Sequence, residues 1–306
     1  MKTILSFPAL AGMAYPKLEG LVRIVEKPSN ILALSKDNRN PIRVFMTSAS
    51  RGCSAETIAA LPNLGLVVSQ GAGTDLLDMA GLAARGIQLR CVGEALTDDV
   101  ADLAMTLTHM LHRDLLRADS FARSGQWQQG RFELGDSVVG KTMGIAGLSG
   151  RIGQAIAARA TVARMKIAGL DRPSNAGLNA SLYKTWAELA AASDVLVLAL
   201  PDAPELKHMI GAKELGALGK HGRLVNVGRG NLVDTEALIA ALEGNVIAGA
   251  ALDVMDTEPV VPQRLAQLPN VILTPHIGGQ TWGQRAHGAL IAEDVVLAFL
   301  NSSRSV

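Results

Sequence analysis

The sequence is short of aromatic residues: Phe, Tyr and Trp make up 3% of its 306 positions. That scarcity leaves little material for the stacking platforms of single-stranded nucleic-acid binders. Neither sign of charge is in excess. With 29 Lys and Arg against 28 Asp and Glu, the formal net charge is +1, so no general attraction to nucleic acid is expected. The two cysteines, Cys53 and Cys91, stand outside any CxxC or Cys/His spacing. This excludes a disulfide framework and argues against structural zinc, and no pair of the six histidines has a metal-ligand pattern. No uncharged apolar stretch reaches the roughly 18 residues a membrane helix needs, and the apolar run after Met1 is too short for a signal peptide. These absences predict a soluble, cytoplasmic protein that binds no metal, no nucleic acid and no membrane.

What is present points to layered α/β structure. Hydrophobic residues are 48% of the chain and glycine occurs 31 times; at about 150 residues per domain the length suggests two domains. Short apolar runs predict strands at Thr3–Phe7, Ile42–Met46, Gly65–Ser69, Ile87–Leu89, Met143–Gly147, Lys166–Leu170, Asp194–Ala199, Arg223–Val227, Val246–Leu252 and Asn270–Leu273. Several are apolar without interruption, as expected of parallel strands covered on both faces. Amphipathic stretches alternate with them. Thr185-Trp186-Ala187-Glu188 has the spacing of a capping box, and Asp234 and Gly244 suit the start and stop of another helix. A helix over Asp98–Arg113, with Val100, Leu103, Ala104, Leu107 and Leu111 on one face and Thr97 as its cap, lies between two strand-rich regions and is placed to bridge two domains. A last periodic helix covers about Trp282–Leu300. Repeated strand-helix-strand units predict doubly wound α/β architecture.

The run Gly147-Leu148-Ser149-Gly150-Arg151-Ile152-Gly153 follows a predicted strand and opens a predicted helix, Gln154–Ala163. Glycines there permit a tight turn and close approach of backbone to a pyrophosphate, which helix N–H groups then bind. Asp171 ends the next strand 18 residues after Gly153, near the spacing of an acid that binds the adenosine ribose. The spacing is G-x-x-G-x-x-G rather than G-x-G-x-x-G, with Ser149 the extra residue. Asp171 repels a 2′-phosphate and favours NAD, while the adjacent Arg172 softens that choice and leaves NADP open.

Three later strand ends carry reactive side chains: Val227-Gly228-Arg229-Gly230, Asp253-Val254-Met255-Asp256-Thr257-Glu258-Pro259 and Thr274-Pro275-His276-Ile277-Gly278-Gly279. Open α/β sheets bind ligands beyond the carboxyl ends of their strands. An Arg can grip a carboxylate bidentately and polarise a neighbouring carbonyl. A His can protonate an oxygen as hydride reaches the carbon beside it, and an adjacent acid stabilises the imidazolium. Singly, Arg229 is as readily a surface ion pair, Glu258 a solvated acid and His276 a packed turn; their order after a dinucleotide loop argues for a site.

With these motifs, and with Leu96-Thr97-Asp98-Asp99-Val100-Ala101-Asp102-Leu103-Ala104, Gly71-Ala72-Gly73-Thr74-Asp75, Ser124-Gly125-Gln126-Trp127 and Leu200-Pro201, the chain resembles the D-isomer-specific 2-hydroxyacid dehydrogenase family along essentially its whole length. It is most similar to the glyoxylate/hydroxypyruvate and hydroxyphenylpyruvate reductase branch. The resemblance implies a Rossmann cofactor domain at 98–279 inserted in a flavodoxin-like substrate domain split into 1–97 and 280–306, with the active site between them. It implies that Arg229 binds the substrate carboxylate, that His276 is the acid/base and that Glu258, rather than Asp256, is its partner. Ala72 and Gly73 would offer backbone N–H groups to the carboxylate. Gly147, Gly150, Arg151, Ile152 and Gly153 would meet the pyrophosphate and Asp171 and Arg172 the ribose. Asp253 would lie on the nicotinamide side, and Leu200, Pro201, Val227, Gly228 and Gly278 would line the cofactor.

A small 2-keto acid, reduced to the D-2-hydroxy acid, is the implied substrate, and a homodimer the implied assembly. Formate dehydrogenases of the superfamily have Gln where Glu258 stands, which disfavours that branch. Ala203 replaces a common Thr. Arg51 is a candidate for reaching substrate, and Trp282 for lining the pocket. Two alternatives stand beside the reductase: an NAD(H)-sensing corepressor, against which the intact triad and the lack of long extra termini argue, and a phosphoglycerate dehydrogenase, which would be expected to carry a further domain after Val306.

Overall fold

In a computed structural model, residues 2–7 and 13–302 are described. The chain divides into two compact units, one of Met1–Leu96 with Gly279–Val306 and the other of Thr97–Gly278.

The first unit holds a five-stranded parallel sheet of β1 (Lys2–Ser6), β2 (Val22–Glu26), β3 (Ile42–Ser48), β4 (Leu66–Gln70) and β5 (Gln88–Cys91), in the order β2-β1-β3-β4-β5. Neighbouring residues along one strand serve opposite faces. Leu5, Phe45 and Val67 pack into one apolar cluster with Ile31, Ile58, Leu61 and Leu82. Ile4, Val44, Met46, Leu66 and Val68 pack into another with Ala292, Val296 and Leu300 of the helix Trp282–Ser302. Burial on both faces explains the uninterrupted apolar runs, and the returning C-terminal helix supplies one of the two covers.

The second unit holds seven parallel strands: β6 (Thr142–Ala146), β7 (Lys166–Leu170), β8 (Ser181–Tyr183), β9 (Val195–Leu198), β10 (Arg223–Asn226), β11 (Gly249–Leu252) and β12 (Val271–Leu273). Their order is β12-β11-β10-β9-β6-β7-β8. The winding reverses between β6 and β9, the switch point of a Rossmann sheet. Both units are thus doubly wound α/β layers.

Most sequence expectations hold to within a few residues, and the departures have physical reasons. The edge strand β2 was not expected because Arg23 and Glu26 interrupt its apolar run and face solvent. The three-residue β8 is too short and half-exposed to give a pattern. Val246, Ile247 and Ala248 precede β11 as a turn, although Ile247 is fully buried in the core. Thr97 is no cap: the helix Thr97–Arg113 continues from the 3-10 turn Gly93–Leu96, and the Thr97 Oγ1 is buried with no partner among the described residues. Asp234 does cap, accepting from the Ala237 N–H at 3.1 Å. Thr185 accepts from the Glu188 N–H at 3.2 Å, while the Glu188 carboxylate takes the Lys184 N–H at 2.9 Å, one residue earlier than a full capping box requires. Among the described residues, no helix is long and apolar enough to cross a membrane.

Candidate active site

The glycine loop joins β6 to the helix Arg151–Val162, which starts three residues before its expected position. Gly147 has φ +96°, and a Cβ on it would stand 2.7 Å from the Ala199 carbonyl beyond β9. A Cβ on Gly153 would stand 2.1 Å from the Gly147 carbonyl. The loop therefore closes on the helix so tightly that only glycine fits. Gly150 is the N-cap and has no side chain to offer, and the amides of Ile152 and Gly153 donate to no described residue. Such a helix end suits an anion. The Ser149 hydroxyl bonds to the Ser174 hydroxyl at 3.1 Å, and the Gly147–Gly153 contact is present with the extra residue in the loop. Asp171 is exposed at the end of β7, and its carboxylate takes no hydrogen bond or ion pair from a described residue; the same holds for the neighbouring Arg172 side chain. A glycine cradle, an uncapped helix end and an unengaged acid fit a dinucleotide.

The turn after β10 is stitched by Asn226, which is fully buried. Its amide nitrogen donates to the Arg229 carbonyl at 2.8 Å and its oxygen accepts the Gly228 N–H at 3.1 Å. Val227 is buried there, and a Cβ on Gly228 would stand 2.6 Å from the Leu200 carbonyl, so this turn packs on the Leu200–Pro201 segment. A Cβ on Gly230 would lie only 1.9 Å from the Met255 carbonyl carbon. The Arg229 turn thus rests directly on the loop that follows β11.

That loop delivers Glu258. One carboxylate oxygen accepts the Met255 N–H at 2.8 Å and the other meets His276 Nδ1 at 2.9 Å. The side chains of Glu258 and His276 are 34% and 52% exposed, so the pair is open to a ligand. A proton on Nδ1 directed at a carboxylate fixes the tautomer and leaves Nε2 as the atom that exchanges protons. His276 has φ +54°, a conformation that strains a residue with a Cβ by about 1–3 kcal/mol. Asp253 holds it. That carboxylate, 2% exposed, accepts from Thr274 Oγ1 at 2.6 Å, from the Ile277 N–H at 2.8 Å and from the Gly278 N–H at 2.9 Å, and the Asp253 carbonyl accepts the His276 N–H at 2.9 Å. The bracing by Asp253 was not visible in the sequence, because its carboxylate reaches partners 21 to 25 positions away.

In the other unit, Gly71 follows β4 with φ +108°, and a Cβ on it would stand 3.1 Å from the Ala49 Cβ. The amides of Ala72 and Gly73 donate to no described residue. Arg51 lies in the turn after β3, its guanidinium 5.2 Å from the centre of the Phe7 ring. Trp282 opens the C-terminal helix, 71% exposed, with the Arg285 guanidinium 6.0 Å from its ring. Burial pushes the Cys53 thiol up to about 12, which removes it as a nucleophile.

Residues 105–278 match the family model of the D-isomer-specific 2-hydroxyacid dehydrogenase NAD-binding domain. The glyoxylate/hydroxypyruvate reductase A of Arabidopsis thaliana is 41% identical over 261 residues, 85% of this chain and 83% of that protein. The hydroxyphenylpyruvate reductase of Plectranthus scutellarioides is 40% identical over 82% of this chain and 79% of its own. Among solved structures, the NADPH-dependent glyoxylate/hydroxypyruvate reductase of Sinorhizobium meliloti, in complex with NADP and malonate, superimposes with a TM-score of 0.85 at 34% identity, covering 97% of this chain and 93% of that one.

Proposed function

The chain belongs to the D-isomer-specific 2-hydroxyacid dehydrogenase family, and we propose that it reduces a small 2-keto acid, glyoxylate or hydroxypyruvate in type, to the D-2-hydroxy acid. The observation that carries this reading is the His276–Glu258 pair at 2.9 Å, on a loop that rests on the Arg229 turn. In the unit Thr97–Gly278 we assign Gly147, Gly150, Arg151, Ile152, Gly153, Asp171 and Arg172 to the dinucleotide, with Leu200, Pro201, Val227, Gly228, Asp253 and Gly278 beside it. The unengaged Asp171 carboxylate favours the unphosphorylated ribose of NAD.

Bound there, the reduced nicotinamide supplies the hydride. Arg229 holds the substrate carboxylate and withdraws electron density from the adjacent carbonyl. His276, protonated on Nε2, gives its proton to the carbonyl oxygen. Glu258 keeps the ring oriented through Nδ1 and stabilises its charge. The unit of residues 1–96 and 279–306 is assigned to substrate, with the Ala72 and Gly73 amides taking the carboxylate.

The protein is assigned to the cytoplasm, in keeping with two unpaired cysteines. A homodimer through the cofactor unit is supported by Leu115, Leu116 and Leu134, exposed by 46, 51 and 101% around one hollow of about 360 Å³. Sedimentation velocity tests it: a dimer is expected, and a monomer at micromolar concentration contradicts it.

The functional test is oxidation of NADH and NADPH with glyoxylate, hydroxypyruvate, pyruvate and hydroxyphenylpyruvate. Turnover of at least one keto acid is expected, with NADH the better reductant. Folded, cofactor-binding protein that turns over none of them refutes the reading.

A further inference from the structure

The five-stranded sheet reverses its winding between β1 and β3. In flavodoxin-like sheets that switch point, beyond the carboxyl ends of the strands, is where ligands enter. Phe7 follows β1 there, its ring 5.6 Å from Phe45. Lys27 is the first residue after β2, and its Nζ lies 5.0 Å from the Phe7 ring centre. Arg51, in the turn after β3, brings its guanidinium to 5.2 Å from the same ring. Three strands that are neighbours in space therefore deliver two cations to one aromatic ring. Contact with a ring face steadies a cation without cancelling its charge, and Lys27 forms no ion pair with any described residue. The Lys27 ammonium is thus open to an anion, with the Arg51 guanidinium beside it on the same ring.

The same crest continues into the Gly71–Gly73 loop. The Ala49 N–H donates to the Gln70 carbonyl at 2.8 Å, and the Cys53 N–H to the Leu76 carbonyl at 3.0 Å. The turn that carries Arg51 thus runs alongside the loop whose Ala72 and Gly73 amides donate to no described residue. Strands stand about 4.8 Å apart and two spacings separate β4 from β1, so a molecule anchored at those amides has to extend over roughly 10 Å, less the inward reach of the Lys27 and Arg51 side chains, to meet the cations.

We propose that Lys27 and Arg51, stacked on Phe7, form a distal anion subsite that makes 2-keto acids with a second carboxylate the preferred substrates. This rests on the reductase reading above and, among 2-keto acids, names the diacids rather than glyoxylate or hydroxypyruvate as the best substrates. Neither the composition nor the motifs disclose it, because the three residues are scattered over 45 positions and meet only through the strand order.

The test compares length-matched pairs: oxaloacetate with 2-oxobutyrate, 2-oxoglutarate with 2-oxopentanoate, and 2-oxoadipate with 2-oxohexanoate. In the wild type, kcat/KM for at least one diacid exceeds that of its partner by about tenfold, the usual effect of a charge-assisted hydrogen bond. Raised salt narrows the ratio. Lys27→Gln and Arg51→Gln each bring the ratio down toward one. A wild-type ratio at or below one for all three pairs overturns the subsite, as does a ratio that neither variant changes. Should glyoxylate and every other keto acid fail to turn over, the reductase reading fails instead. Calorimetric binding of the same pairs to wild type and Lys27→Gln then decides the subsite: tighter diacid binding that is lost in the variant upholds it, and equal binding of diacid and monoacid overturns it.

Discussion

His276 Nδ1 and Glu258 Oε2 stand 2.9 Å apart, while the other oxygen of the same carboxylate accepts the Met255 N–H at 2.8 Å. Glu258 is therefore held by its own loop before it meets the imidazole, and the ring is oriented by a fixed acceptor. Glu258→Gln keeps the shape and removes the charge that stabilises the imidazolium. Keto-acid reduction needs the protonated ring, so its pH profile should move to lower pH in the variant. The profile of kcat/KM against pH checks this; a superimposable profile would show that the two groups are not coupled.

Asp253 makes a second prediction. Its buried carboxylate accepts three hydrogen bonds from Thr274, Ile277 and Gly278 and so braces the left-handed turn at His276. Asp253→Asn turns an NH₂ group toward donors and should destabilise the fold by roughly 2 kcal/mol or more, the order of a lost charge-assisted bond. Urea unfolding measures that loss, and kcat should fall with it. Wild-type stability and kcat together would mean that the loop holds its shape unaided.

The glycine loop is tested by the space it leaves. Gly153→Ala places a methyl 2.1 Å from the backbone oxygen of Gly147, and neither can yield. Gly150→Ala meets the same oxygen at 3.2 Å with an ordinary φ of −70°. NADH fluorescence titration should show affinity falling by more than about tenfold for Gly153→Ala, where overpacking displaces the loop, and by clearly less for Gly150→Ala.

His112 links stability to pH. It is 1% exposed, and its Nδ1 donates to the Thr108 carbonyl at 2.8 Å. Burial pushes its imidazole below the usual histidine value of 6.5, outweighing that hydrogen bond, which favours the protonated form. The unfolded chain therefore takes up the proton first as pH falls, and the contribution of His112 to stability declines below about pH 6.5 and is level above it. His112→Gln should flatten this decline in urea-unfolding measurements across that range. An equal decline in both proteins would assign it to other groups.

Much of this was legible in the sequence because it is written locally. Val195–Leu198 is apolar at every position because both faces of β9 are covered, and the Asp234 cap lies beside the helix it serves. Glu258 and His276, singled out by type and order, each follow a strand end and meet at 2.9 Å. What the sequence could not reveal depends on contacts between distant segments. Asp253 grips residues 21 to 25 positions on, Gly230 is pressed against Met255, and Lys27 and Arg51 meet over Phe7 only because β1 lies between β2 and β3. Thr97 was misread for the opposite reason: a local cap signal gave way to a 3-10 turn that feeds the helix without a break.

The central claim is that His276 gives the proton that completes reduction. Its most direct measurement is kcat for hydroxypyruvate reduction by the wild type and by His276→Ala, beside the NADH dissociation constant of each. The expected result is a fall in kcat of about 10²–10⁴-fold, the range of a lost general acid, with cofactor affinity unchanged. An undiminished kcat in His276→Ala would contradict the assignment and require another proton donor.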